Sequence, residues 1–201
     1  MKTKDVIKER ARLLFNQLGA KNVTLREVAK QLDKSYGNIT YHFANKEQLI
    51  TALFLDMNQK LAQLQTLYHQ QENLLTFFLT LPAHSFNITL QYLFFSKDYV
   101  ELKRAYPEFF QTVAALNTTR RAQWLKLLIQ LQREGYLAAQ LSVEDLEYIM
   151  DLSVGIRMFY FQSHEWNEFD EAVYLKQVNR LLYPYLSVEG KKVYQRFLEE
   201  Q

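Results

Sequence analysis

The sequence predicts an all-α protein in which a small N-terminal helix-turn-helix domain of three helices precedes a larger helical bundle. Its 201 residues include only five glycines and three prolines, so few positions interrupt a helix. Apolar residues recur at helical spacing, and no segment keeps the strict alternation expected of a strand. Several apolar runs also follow sequences that are typical of helix N-termini.

The composition narrows the possible classes of protein. The chain has no cysteine, which excludes disulfide bridges and cysteine-based zinc sites. Its most apolar run, residues 74–83, is shorter than the roughly 20 residues that a membrane span needs. The N-terminus lacks the apolar stretch of a secretory signal. We therefore expect a soluble, cytoplasmic protein with no membrane partner.

Charge is unevenly distributed. Residues 1–50 carry ten Lys or Arg and five Asp or Glu, a balance of +5, so the rest of the chain carries −3 within the total of +2. An electropositive N-terminal end attracts phosphate, whereas the larger part has no general affinity for polyanions. This split favours two separate roles for the two parts.

The first 50 residues contain the clearest helix signals. Residues 4–18 have a continuous apolar face, and Gly19 is suited to the end of that helix. Thr24 and Glu27 have the spacing of a capping box, which predicts a second helix from residue 24. After a polar break, Ser35 can cap a short third helix. Two short helices joined by a tight turn form a helix-turn-helix.

The third helix has an unusual outward face. Ile39 and Phe43 lie four residues apart and point inward, which turns Gly37, Asn38, Thr40, Tyr41 and His42 towards the flanks and solvent. A second capping-box sequence, 45–48, begins a long fourth helix. Further helices are predicted over 74–96, 107–134, 142–162 and 169–186, with a short terminal helix after 187. The expected domains are residues 1–47 and 48–201.

The segment Thr24–Leu49 resembles the tetracycline-repressor (TetR) family. The resemblance rests on Ser35-Tyr36-Gly37-Asn38-Ile39-Thr40-Tyr41-His42-Phe43 and on Asn45-Lys46-Glu47. It implies a homodimer that places two recognition helices, residues 36–42, in successive major grooves of a palindromic double-stranded DNA operator. The DNA-binding residues that it implies are Thr24, Ser35, Tyr36, Gly37, Asn38, Thr40, Tyr41, His42 and Lys46.

The family resemblance also implies a role for each of these residues. Gly37 allows a close approach of the backbone, and Tyr36, Asn38 and Thr40 are candidates for contacts to bases. Tyr41, His42, Lys46 and Thr24 match positions that contact phosphate. The chain departs from the family pattern in two places: Asp33-Lys34 replaces the usual Gly-Val of the turn, and Thr40 stands where tyrosine is usual.

The family resemblance further implies that the second half forms the dimer and binds a small apolar ligand that releases DNA, which would make the protein a repressor. Of 29 aromatic residues, 25 lie beyond residue 50. They can line a pocket, although aromatic residues at helical spacing also simply fill a core. The family resemblance assigns the dimer contact to the helices near 142–163 and 169–186.

Two other functional classes compete with a DNA-binding regulator. An enzyme is disfavoured, because the histidines at 42, 69, 84 and 164 lack metal-ligand spacing and no phosphate-binding glycine loop is present. Neither a metal nor a cofactor is expected. The alternative to a DNA-binding regulator is a helical protein-interaction module without a DNA function, against which the basic N-terminal balance argues.

Overall fold

The computed structural model describes residues 3–64 and 72–200. Within these ranges all regular secondary structure is helical, apart from one isolated antiparallel bridge between Leu137 and Leu186. The predicted all-α fold class is confirmed. His69, one of the four histidines considered above, lies outside the described residues.

Eleven helices are numbered here in chain order within the described ranges. The N-terminal group comprises α1 (Thr3–Leu18), α2 (Leu25–Gln31), α3 (Tyr36–His42) and α4 (Lys46–Gln63). The middle group comprises α5 (Leu74–Gln91), α6 (Phe94–Lys97), α7 (Tyr99–Ala105) and α8 (Pro107–Arg133). The C-terminal group comprises α9 (Val143–Ser163), α10 (Glu171–Arg180) and α11 (Val188–Glu199).

Two helices end earlier than predicted. The helix expected over 169–186 ends at Arg180, four residues before Pro184. If the helix continued, the ring of Pro184 would clash with the Arg180 carbonyl. Residues 183–185 form a 3₁₀ turn instead. The helix expected over 74–96 ends at Gln91, and residues 99–105 form α7, for which no helix was predicted.

The chain forms two compact units. The first unit comprises Met1–Ala62 and Asn87–Ala115, and the second comprises Gln63–Phe86 and Leu116–Gln201. The predicted division at residue 47 concerns the DNA-binding segment and stays a prediction. The aromatic residues that were considered for a pocket are divided between the two units: Tyr92, Phe94, Phe95 and Phe109 are buried in the first, and Phe77 and Phe86 in the second.

The second unit has a large aliphatic core built from α5, α8, α9 and α11. Its fully buried members include Leu75, Leu128 and Leu131, and Leu146 and Ile149 are almost as well covered. Each belongs to an apolar face at helical spacing, so burying these faces against each other accounts for the arrangement.

In the described part of the chain, no helix combines the length and apolarity that crossing a bilayer requires. Residues 3–64 and 72–200 contain no group of three or more His, Asp or Glu placed to hold a metal ion.

Candidate nucleic-acid interface

The helix-turn-helix is anchored by a small apolar core. Val28 and Ala29 of α2 are buried, as are Ile39 of α3 and Phe43 directly after it. The predicted inward face of the third helix is therefore present. With this face buried, the opposite face of α3 is left to solvent.

Both short helices begin at the predicted caps. The Thr24 hydroxyl accepts a hydrogen bond from the Glu27 amide at 3.2 Å, and the Thr24 amide donates to the Glu27 carboxylate at 2.5 Å. These contacts lower the pKa of Glu27, chiefly through the hydrogen bond from the Thr24 backbone. The Ser35 hydroxyl accepts from the Asn38 amide at 3.1 Å. Thr24 and Ser35 thus have structural roles, whatever they contact on DNA.

The turn between α2 and α3 is a Schellman motif. The Lys34 amide donates to the Ala29 carbonyl at 3.0 Å, and the Asp33 amide donates to the Lys30 carbonyl at 3.2 Å. Asp33 has φ 51°, in the left-handed region that favours glycine. Asp33, which replaces the family's glycine at this position, therefore keeps the turn but has a strained backbone conformation.

The exposed face of α3 carries most of the predicted contact residues. Tyr41 is 85% exposed and Tyr36 46% exposed. Gly37 and Asn38 are exposed as well, and the Asn38 side-chain amide has no hydrogen-bond partner among the described residues. The side-chain amide and the two phenol hydroxyls form no described hydrogen bond within the protein, so they are suited to donate to and accept from base edges and phosphates.

Packing does not require the glycine at position 37. A Cβ atom there would have only the Ser35 hydroxyl within 4 Å, at 3.9 Å, and the backbone has no positive φ. Glycine in a helix costs about 1 kcal/mol relative to alanine. The fold itself therefore does not require glycine at position 37. A glycine there is consistent with the close approach of a binding partner to the α3 backbone.

Thr40 and His42 are less accessible than their neighbours. The Thr40 hydroxyl donates within its own helix, to the Tyr36 and Gly37 carbonyls at 3.2 and 3.3 Å. His42 is half-buried, and its ring lies edge-on to Tyr41 with 5.1 Å between centroids. A base contact from Thr40 would have to compete with these internal hydrogen bonds.

Lys46 lies in a partly enclosed position at the start of α4. Its Nζ donates to the Lys21 carbonyl at 3.5 Å and lies 5.8 Å from the centre of the Phe15 ring. Burial lowers the pKa of Lys46, while the carboxylates of Glu27 and Asp98 oppose that shift. The Lys46 ammonium therefore points inward, towards Lys21 and Phe15. To contact a DNA phosphate, the side chain would have to turn outward.

Arg26 was not singled out from the sequence. Its guanidinium stacks on the Tyr36 ring at 5.1 Å from the centroid, and both side chains are exposed. This pair places a permanent positive charge beside the first residue of α3. The only sequence signal for it is its share of the +5 balance, which does not distinguish Arg26 from other surface cations.

Side chains of α1 fix the helix-turn-helix to α5 and α6 within the first unit. Asn16 Nδ2 donates to the Gln91 carbonyl at 2.8 Å, and Asn16 Oδ1 accepts from the Phe94 amide at 3.1 Å. Arg12 donates to the same Gln91 carbonyl at 2.6 Å. These bonds satisfy backbone groups where α5 ends and α6 begins, which gives the reason that α5 stops at Gln91.

Comparison with known proteins agrees with this geometry. The profile of the bacterial regulatory proteins of the tetR family matches residues 7–53, which contain α2, the turn and α3. This DNA-binding segment thus matches that of the tetR family. The match indicates a DNA-binding regulator with a helix-turn-helix, and members of this family are regulators rather than enzymes. No curated protein matches the sequence.

Solved structures show that the tetR-type fold extends over the whole chain. A TetR-family regulator from Marinobacter aquaeolei VT8 is 23% identical, with a TM-score of 0.83 over 99% of this chain and 98% of that one. A ketosteroid transcriptional regulator of Mycobacterium tuberculosis is 20% identical, with a TM-score of 0.72 over 92% and 96%. A fatty acid degradation regulator of Bacillus halodurans is 17% identical, with a TM-score of 0.74 over 90% and 95%.

Proposed function

We propose that this protein is a sequence-specific repressor that binds a palindromic operator as a homodimer and acts in the cytoplasm. The observation that carries the proposal is the exposed face of α3, where Tyr36, Gly37, Asn38 and Tyr41 are accessible while Ile39 holds the helix on its core. A short polar helix presented in this way fits the major groove. The +5 balance of residues 1–50 supplies attraction to phosphate.

Within the proposal, the DNA-binding residues divide by accessibility. Tyr36 and Asn38 contact base edges, and Gly37 lets the helix approach closely. Tyr41 and His42 contact phosphate, as does Lys46 after its side chain turns outward. The remaining members of the predicted set stabilise the two helices: Thr24 and Ser35 cap α2 and α3, and Thr40 bonds within α3. Thr24 also lies close enough to a helix start for a phosphate contact.

The dimer is proposed to form through α9 and α10. Among the apolar residues of the predicted helices 142–163 and 169–186, Phe161, Val178 and Leu182 are buried within their own chain, whereas Phe159 is 70% exposed. Phe159 lies in a shallow, mainly apolar depression with residues from both helices: Leu152, Gly155, Ile156, Arg180 and Leu181. An exposed apolar face on two helices supports pairing with a second copy about a two-fold axis.

Repression is proposed to end when a small apolar ligand binds in the second unit. The ligand would favour a spacing of the two recognition helices that no longer fits adjacent half-sites, and DNA affinity would fall. A titration in which bound small molecules leave operator affinity unchanged would contradict this part of the proposal.

The test of DNA binding is selection from a random double-stranded DNA pool at two salt concentrations, followed by sequencing. Recovery of a palindrome is the expected result. On that operator, Asn38→Ala should weaken binding about tenfold or more, because one bidentate base contact contributes about 1–3 kcal/mol. Asn117→Ala, an exposed asparagine in the second unit, is the matched control and should bind like the wild type.

Gly37→Ala separates a DNA role from a structural one. Since a Cβ fits at this position, the variant should fold and be at least as stable as the wild type, yet bind the operator less tightly. Weak binding of all sequences with equal affinity, unaffected by Asn38→Ala, would instead support the helical interaction module.

A further inference from the structure

An arginine on the inner side of α9 lacks a partner for a buried nitrogen. Arg157 lies seven residues after Met150, three before Tyr160 and four before Phe161, and these three neighbours on the same helical face are all buried. The Arg157 Nε is buried and forms no hydrogen bond to any residue that the structure describes. Ion pairs described in the second unit include those of Arg121, Lys192 and Arg196.

One neighbour of this guanidinium is a neutral phenol. Tyr174 of α10 is 1% exposed, lies within electrostatic reach of Arg157 and shares a hydrogen bond with Ser85 of α5. Burial raises the pKa of the Tyr174 phenol, so this neighbour stays uncharged at neutral pH. The Tyr160 hydroxyl is already used, since it donates to the Asp170 carbonyl at 2.7 Å and accepts from the Asp170 amide at 2.9 Å.

Aromatic rings surround these polar groups. The Phe86 ring lies 5.0 Å from Tyr174 and 5.7 Å from Phe161, and Tyr160 lies 5.1 Å from Tyr174, measured between centroids. In such surroundings a buried nitrogen without a hydrogen bond is costly, and a guanidinium is suited to bind a carboxylate through two parallel hydrogen bonds. A single cation among neutral hydroxyls balances one negative charge, which favours a carboxylate over a doubly charged phosphate.

We propose that Arg157 binds the carboxylate of a small apolar acid whose body packs against the aromatic residues of α5, α9 and α10. This inference rests on the small-molecule response proposed above and adds the chemical class of the ligand. The Tyr174 hydroxyl and Ser85 are placed to orient the same head group.

The test compares acids with alcohols of the same skeleton. Decanoate and 3-phenylpropionate, with 1-decanol, 3-phenylpropan-1-ol and decyl phosphate for comparison, are titrated by calorimetry into the full-length protein below micelle-forming concentrations. At least one acid should bind about tenfold or more tightly than its alcohol and more tightly than decyl phosphate, because a charge-assisted hydrogen bond contributes about 1.5–3 kcal/mol.

Variants then assign the preference to one side chain. Arg157→Met should remove the preference for acid over alcohol, and Arg157→Lys should retain part of it. Arg133→Met, the same change at an exposed arginine of α8, should behave like the wild type. Arg157→Met should melt no lower than the wild type without ligand, because it removes a buried nitrogen that has no hydrogen bond.

Three results would overturn the inference: binding of neither acid to the wild type, equal affinity for acid and alcohol, or an unchanged acid preference in Arg157→Met. A lower melting temperature of Arg157→Met without ligand would also contradict it, since it would show a partner for Arg157 within the protein or its dimer. Operator binding of the same ligand-free preparations is measured in parallel, so a failure of the DNA-binding proposal is recorded separately from a failure of this site.

Discussion

Asp33 shows how one residue can retain a family's turn without the family's glycine. Its left-handed conformation, φ 51°, places the Lys34 amide on the Ala29 carbonyl, so the geometry is that of a helix end with glycine. A non-glycine residue in the left-handed conformation lowers stability by roughly 1–2 kcal/mol, and aspartate tolerates this conformation better than most residues. The turn is therefore formed at some expense of stability.

Replacing this aspartate with glycine is expected to stabilise the protein. Asp33→Gly should raise the free energy of unfolding by about 0.5–1 kcal/mol in urea titrations, because glycine adopts positive φ without a steric penalty. Asp33→Ala, which keeps a Cβ and loses the tolerance of aspartate, should lower it. Equal stability of the two variants would show that the backbone conformation at this position has no energetic role.

Asp98 is a partly buried carboxylate in the first unit. It accepts a hydrogen bond from the Ala20 amide at 2.5 Å, next to the end of α1. Burial raises its pKa above the ordinary value of 3.8, and the Ala20 hydrogen bond and Lys46 oppose this shift. The folded state therefore holds the proton more tightly than the unfolded chain, so ionisation of Asp98 reduces stability as the pH rises above about 3.8.

Asp98→Asn is expected to be more stable than the wild type at pH 7, because the amide oxygen can still accept from Ala20 while no charge is buried. The advantage should shrink as the pH is lowered towards 4, where the wild-type carboxyl becomes neutral. Asp98→Ala should be less stable at both pH values, since the Ala20 amide loses its acceptor. Urea unfolding at the two pH values measures these differences, and an Asp98→Asn variant less stable than the wild type at pH 7 would contradict the assignment.

At the scale of elements, α11 is fixed by an unusually close contact at its N-terminus. The Ser187 amide donates to the Tyr136 carbonyl at 3.0 Å, and the Ser187 hydroxyl accepts from the Gly190 amide at 3.0 Å. A Cβ atom on Gly190 would lie 2.1 Å from the same Tyr136 carbonyl oxygen. The helix can approach this segment only because residue 190 has no side chain.

Gly190→Ala is expected to destabilise the protein by about 2–4 kcal/mol, because backbone atoms must shift to admit the methyl group. Gly37→Ala is the matched control: that glycine also lies in the first turn of a helix, but a Cβ there has ample space. Thermal and urea unfolding measure the difference. If both variants unfold alike, the contact between α11 and Tyr136 does not constrain the helix.

At the scale of the whole molecule, the proposed function depends on two copies of a chain whose charge is divided between its two parts. The basic N-terminal part carries α3, and the exposed face of α9 and α10 is proposed to pair with a second copy. A dimer contributes two recognition helices, so loss of pairing should weaken operator binding even with every DNA-contacting residue intact.

Phe159→Glu is expected to convert the dimer to a monomer, because it places a charge in the centre of the proposed apolar interface. Light scattering after size-exclusion chromatography should report one chain, and operator affinity should fall by more than tenfold. Val188→Glu, which changes a 77% exposed residue of α11, should remain dimeric. A dimeric Phe159→Glu variant would place the interface elsewhere.

The sequence by itself determined the helical class, the helix-turn-helix and the outward face of α3. These follow from interactions between residues three or four positions apart, as in the Thr24–Glu27 capping box and the Ile39–Phe43 pair. The resemblance of residues 24–49 to one family supplied the predicted contact set, because a short motif can be matched residue by residue.

Only the tertiary structure decided which side chains are free to act. Lys46 is placed against Phe15 and the Lys21 carbonyl, and Arg26 reaches Tyr36, through contacts between residues distant in sequence. Hydrophobic spacing places Arg157 on α9, but only packing shows that its Nε is buried beside Tyr174. The physical reason is that burial and charge pairing depend on distances between helices, which the periodicity of a single helix does not encode.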